Sequence, residues 1–161
     1  MRNVILKVGS YNILHGEDYP RRLQTGERSL DLDKVAATIR SLNVDLCGLN
    51  EVRNQQGDGL CHQGEAIAKR LGWNMVFAPA IAIDRGTYGN ALISRFPIRS
   101  VRTIPIQTTQ KERLPGGRYE DRVLLIAEID ADGTPLTAMV CHFGLNGIEA
   151  VGNKLPHPVA L

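Results

Sequence analysis

Three polar side chains stand where apolar, strand-like runs end: Asn12, Glu51 and His142. Side chains at strand ends are held by a sheet yet face an open crevice, which is where binding sites gather. Glu51 closes the run Leu46-Cys47-Gly48-Leu49-Asn50, and a carboxylate anchored there suits a hard cation such as Mg²⁺ or Mn²⁺. An ordinary carboxylate leaving a strand into solvent has the same local sequence. Asn12 shares an alternate-residue stripe with Val4, Leu6 and Val8, read here as facing inward, so its amide needs a partner such as Glu51 or a metal-bound water. The alternative is an asparagine that starts the turn at His15-Gly16. His142 continues Leu136, Ala138 and Val140 on one strand face; its ring could donate to a phosphoryl oxygen or be a satisfied core histidine.

Other chemistries drop out. Cys61-His62 and Cys141-His142 invite a zinc reading, but adjacent strand residues point to opposite faces and no Cys-x-x-Cys pair accompanies them. The sequence has no Gly-x-Ser-x-Gly elbow and no Walker-type loop, and Gly57-Asp58-Gly59 lacks the strand-turn-helix setting of a dinucleotide site. Cys47, among apolar neighbours and without an adjacent base, reads as packing.

The elements that must position these groups follow from periodicity. Val4 to Leu14 alternates and reads as a strand. After a polar, Gly-containing loop, Leu32, Val35, Ala36, Ile39 and Leu42 recur at helical spacing behind Ser29 and Asp31, either of which could cap the helix, and Asn43 closes it. Asp45 to Val52 is an apolar run suited to a strand covered on both faces. A second helix is expected over about Gln63 to Leu71, ended by Gly72, with a strand from Trp73 to Ile81. Beyond it the rhythm changes: Gly89 to Phe96, Ile98 to Ile106, Val123 to Asp130 and Pro135 to Phe143 are strand-like with no helix between them. Asp132-Gly133 is the clearest hairpin turn, and Gln107 to Tyr119 reads as a long polar loop. The tail from Gly144 is broken by Gly147, Gly152, Pro156 and Pro158.

The 161 residues fit one α/β domain of about seven strands and two helices, spanning 1–161. No apolar run of membrane-spanning length and no signal peptide are present, and three widely spaced cysteines are not a disulfide framework. A cytoplasmic protein with reduced thiols is expected. The net charge of +2 creates no global field that would imply nucleic acid or membrane partners. Arg nevertheless outnumbers Lys 14 to 5, and Arg95, Arg99, Arg102, Lys111, Arg113, Arg118 and Arg122 gather in the later middle of the chain. That cluster gives weak support for a phosphate-bearing substrate beside the plain reading of a solvated polar face.

The ordered set becomes specific as a whole. Ser10-Tyr11-Asn12-Ile13-Leu14, then Asp45 to Val52 with Asn50-Glu51, then Tyr88-Gly89-Asn90-Ala91-Leu92-Ile93-Ser94-Arg95-Phe96-Pro97-Ile98, and Cys141-His142-Phe143-Gly144-Leu145 together resemble the endonuclease/exonuclease/phosphatase superfamily. The resemblance implies a four-layer α/β/β/α sandwich of the deoxyribonuclease I-like type. It also implies a Mg²⁺- or Mn²⁺-dependent hydrolase of phosphoesters, of nuclease or phosphatase type, acting by in-line attack of water. Under it Glu51 and Asn12 would serve the metal; Asn12, Asn90 and His142 would be catalytic; Arg122 and Tyr88 would bind substrate. That substrate would be a nucleic acid, a phospholipid headgroup or a sugar phosphate. The chain departs from the family pattern at its end: no Asp-x-Asn and no Ser-Asp-His motif follows His142. In the family those residues supply the base and orient water, so the domain is expected to be C-terminally incomplete and impaired. The alternative expectation is a silent fragment that binds phosphate, or a partner chain or second copy through an open sheet edge.

Overall fold

The computed structural model describes residues 5–106 and 121–143. The expected loop at 107–119 and the tail from Gly144 lie outside the described residues. The strands are β1 Val8–Asn12, β2 Leu46–Gln55, β3 Asn74–Ile83, β4 Gly86–Ser94, β5 Ile98–Ile106, β6 Arg122–Ala131 and β7 Thr134–Val140. They form two sheets, one of order β1-β2-β4-β3 and one of order β5-β6-β7. Among the described residues only β1 and β2 run parallel; the other pairs are antiparallel. Each sheet is thus built from one continuous stretch of chain.

Among the described residues three α-helices, α1 Tyr19–Thr25, α2 Leu32–Ser41 and α3 Gln63–Leu71, accompany the sheets, with a short 3-10 turn at Leu14–Gly16. In α2 the side chain of Asp31, not Ser29, caps the N-terminus, accepting from the Lys34 N–H at 2.8 Å. Its apolar positions Val35, Ala36 and Ile39 are buried. They join Ile67 and Ala68 of α3 and Cys47, Leu49, Val52, Ala91 and Ile93 of the first sheet in one core. The helix expected at Gln63 to Leu71 has those bounds, and Gly72 ends it in the left-handed region at φ 72°. Helix α1 escaped the periodicity because none of its residues is buried, which leaves no apolar stripe to detect; only its caps, Asp18 and Gly26, define it. The second core lies between the sheets, where Leu46, Ala78 and Leu92 meet Val123, Leu125, Ala127, Ile129 and Val140. The turn at Asp132-Gly133 has both residues at positive φ, 53° and 85°, as a tight hairpin of native twist requires.

One expectation about orientation is reversed. The stripe of Val8, Ser10 and Asn12 is exposed, with Val8 69% accessible, and Gly9 and Tyr11 face the packed side. The cause is position: β1 is the edge of its sheet and β7 the edge of the other. Between them runs a groove of about 460 Å³ lined by Val8, Ser10, Leu46, Leu92, Leu136 and Val140. Residues alternating on β1 therefore meet that groove and not a sheet.

Candidate active site

The site begins with a break in a ladder. Strands β2 and β4 pair in register up to Leu49↔Ala91 and resume at Val52↔Gly89, so Asn50 and Glu51 together face Asn90. This is a β-bulge, and its extra residue, Glu51, takes φ 60°, a region that costs a non-glycine residue roughly 1 kcal/mol or more. On its other side β4 meets a second register shift, between Pro79 and Ile81 of β3, and Gly89 permits that approach: a Cβ there would stand 2.0 Å from the Ala78 carbonyl oxygen.

The bulge sends two adjacent polar side chains to different partners. Glu51 Oε1 accepts from Asn12 Nδ2 at 2.8 Å, and its Oε2 lies 3.6 Å from His15 Nε2. Asn12 in turn accepts from the Leu14 N–H at 2.9 Å, which pins the chain leaving β1. Asn12 thus both meets the glutamate and holds the turn that leaves β1. The His15 ring packs 5.3 Å from that of Tyr88, and the buried Gln63 donates to the His15 carbonyl at 2.5 Å. Asn50 points the other way, donating to Asn90 Oδ1 at 3.0 Å and to the Cys141 carbonyl at 3.4 Å. Asn90 Nδ2 completes the link by donating to the Val123 carbonyl at 3.0 Å. Two buried asparagines therefore tie the sheets together at this end, and buried amides that are satisfied in this way specify one arrangement.

Each residue singled out from sequence can now be located. Asn12 and Glu51 are in direct contact. Asn90 and Tyr88 are buried on β4, one and three residues from the bulge's far side at Ala91. His142 is half-buried and follows Cys141, whose carbonyl Asn50 holds. Arg122 opens β6 beside Val123 and lies close enough to Cys141 for its charge to act on that thiol. His15 and Asn50 were missed: the first was taken for turn chemistry, the second for the end of an apolar run. The doublet Asn50-Glu51, two polar residues in succession inside a strand pattern, was the available signal for a bulge.

Two members of the basic cluster are held in local pairs. Arg95 pairs with Asp45 at 3.6 Å, and Arg99 with Asp130, whose carboxyl that guanidinium holds below its ordinary range. Lys111, Arg113 and Arg118 lie outside the described residues. All three cysteines are unpaired thiols, and burial pushes Cys47 up to about 11, which fits packing and not nucleophilic chemistry. Among the described residues no group of three or more His, Cys, Asp or Glu side chains could cage a metal. Mg²⁺, however, takes one or two carboxylates and completes its shell with water and phosphate oxygens. The donor set at Glu51, one partly exposed carboxylate oriented by Asn12, fits that sparse mode.

Residues 9–136 match the Endonuclease/Exonuclease/phosphatase family. An endonuclease/exonuclease/phosphatase from Beutenbergia cavernae superposes with TM-score 0.67 at 21% identity, over 92% of this chain and 41% of that one. A family protein from Leptotrichia buccalis gives TM-score 0.60 at 16% identity, over 96% and 64% of the two chains. ANGEL2, a 2′,3′-cyclic phosphatase, gives 0.55 at 17% identity, over 88% and 42%. The chain thus spans less than two thirds of each of these structures, and under half of two of them. No curated protein matches the sequence. Among the described residues no helix is long and apolar enough to cross a membrane.

Proposed function

The chain belongs to the Endonuclease/Exonuclease/phosphatase family, and on that premise we propose that it carries the metal- and phosphate-binding part of a phosphoester-hydrolysing site. The observation that supports this most is the bulge at Asn50 and Glu51, which aims a carboxylate at the Asn12 and His15 end of the crevice while Asn50 reaches the segment bearing His142. Glu51 would hold Mg²⁺ or Mn²⁺; when bound, such an ion would polarise the phosphoryl oxygens. Asn12 orients the Glu51 carboxylate and would help hold the cation. His142 donates to a phosphoryl oxygen and Arg122 adds a forked charge to the same group. Asn90 keeps both segments in place through its bonds to Asn50 and Val123. Tyr88, packed on His15, would border the bound substrate.

Glu51 cannot hold a cation and also deprotonate the attacking water from one position. General-base assistance contributes about 10²–10⁴-fold, so turnover by this chain alone is expected to be slow. The test is hydrolysis of bis(p-nitrophenyl) phosphate with Mg²⁺ or Mn²⁺. Weak, metal-dependent turnover lost in Glu51→Ala and in His142→Ala supports the proposal. Turnover indifferent to metal and to both substitutions overturns it, and robust turnover overturns the expectation of impairment.

A second reading is favoured by the sheet edges. Neither β1 nor β7 contains a charged residue, and both border the same apolar groove. Charged side chains, one device that blocks strand addition, are therefore absent from these two strands, and a second copy of this chain is the occupant we assign to that edge.

A further inference from the structure

We infer that Arg53 forms a second anion subsite, for a phosphate of the substrate other than the one at Glu51. The inference rests on the phosphoester reading and deepens it: the substrate carries at least two phosphates.

Arg53 follows the bulge on β2. Val52 is buried in the helix-side core, so strand alternation turns Arg53 to the opposite face, where it sits across from Tyr88 in the ladder. Its backbone is fixed: the Arg53 N–H donates to Gln63 Oε1 at 3.0 Å, and the same Gln63 side chain holds the His15 carbonyl. Gln63 is 3% exposed, so this link is built into the core. The half-buried strand position and the crevice loop are thus set relative to each other by one side chain.

The guanidinium is treated differently from several other arginines of the chain. Arg70, Arg95 and Arg99 each meet a carboxylate. Arg53 has no ion-pair partner among the described residues, Glu51 included, and its buried Nε has no hydrogen-bond partner there. Leaving a buried donor unsatisfied costs about 1–3 kcal/mol, more for a charged group. A fold that fixes the backbone of such a residue and leaves its planar donor fork unspent, two residues beyond the candidate metal carboxylate, presents a site for an oxyanion. Phosphate matches the fork bidentately. Two residues of strand separate the two positions by roughly 7 Å, which suits a neighbouring phosphate of one substrate.

The test is calorimetric binding to the full chain in EDTA, so that no metal contributes, with thymidine 3′,5′-bisphosphate, inositol 1,4-bisphosphate and thymidine 5′-monophosphate. A bisphosphate is expected to bind about tenfold tighter than the monophosphate, equivalent to about 1.4 kcal/mol. Whichever bisphosphate gains more tells a nucleotide chain from a sugar or headgroup source. Arg53→Gln should erase the difference and Arg53→Lys should keep part of it. Equal wild-type affinities, no binding of either class, or a preference surviving in Arg53→Gln would overturn the subsite. If Arg53→Gln does not fold, the partial loss in Arg53→Lys decides. An intact Arg53-dependent preference in a chain that hydrolyses nothing would sustain the subsite while the catalytic reading fails.

Discussion

Asn12 is exposed, yet both ends of its amide are engaged, one by Glu51 and one by the Leu14 N–H. Its contribution is therefore to direction more than to burial. Partners that orient a metal-binding side chain typically matter 10–100-fold in affinity. Asn12→Ala is expected to weaken Mn²⁺ binding by about tenfold, read by electron paramagnetic titration. The same substitution should change folding stability by no more than about 1 kcal/mol, because the hydrogen bonds it removes are solvent-accessible. A variant that binds Mn²⁺ as tightly as the parent would sink the orienting role. At this scale the sequence was readable where a residue type is scarce in its setting. A lone carboxylate after five strand residues and an amide at a strand end are the two side chains that the fold brings into contact. Arg53 and His15 were not readable, because what distinguishes them is which partners they lack or gain, and a linear pattern carries no such information. The inward stripe on β1 failed for a related reason: alternation tells which residues share a face, not whether another layer covers that face.

Helix α3 begins with a titratable cap. His62 Nδ1 accepts from the Glu65 N–H at 3.4 Å, and the ring packs edge-on against Phe77 at 4.9 Å. Burial holds the imidazole below its ordinary 6.5, with the charge of Glu65 working in the opposite direction. The neutral ring is therefore the folded form, since a protonated Nδ1 can no longer accept. With the folded value lowered, the stability His62 supplies is complete above 6.5 and is lost as pH falls through the lowered value. Urea midpoints measured at pH 7.5 and pH 5 should show an extra loss of about 1 kcal/mol in the parent relative to His62→Asn, which caps without titrating. Equal losses would refute it. The elements themselves were legible wherever one face is buried: α2, α3 and β5 fall at or within a residue of their expected bounds. The ends that drifted, such as β2 running on to Gln55, are set by pairing across the bulge with β4 and not by local composition.

For the molecule as a whole, two uncharged edges on one side of a sandwich make association a matter of concentration. Sedimentation velocity from about 5 to 200 µM is expected to show a shift from monomer to dimer, and Met139→Lys, which places a charge on the exposed edge strand, should hold the monomer. Monomer throughout would remove the second reading. The order of the chain has one more effect. All of the first sheet and its three helices are encoded before Pro97, and all of the second sheet after it. On the ribosome the helix-covered layer can close while β5 to β7 are still being synthesised. Until they arrive, the greasy underside at Leu46, Ala78 and Leu92 has nothing to lie on. The interval between making the two halves is when a nascent chain of this design most needs a chaperone's shelter.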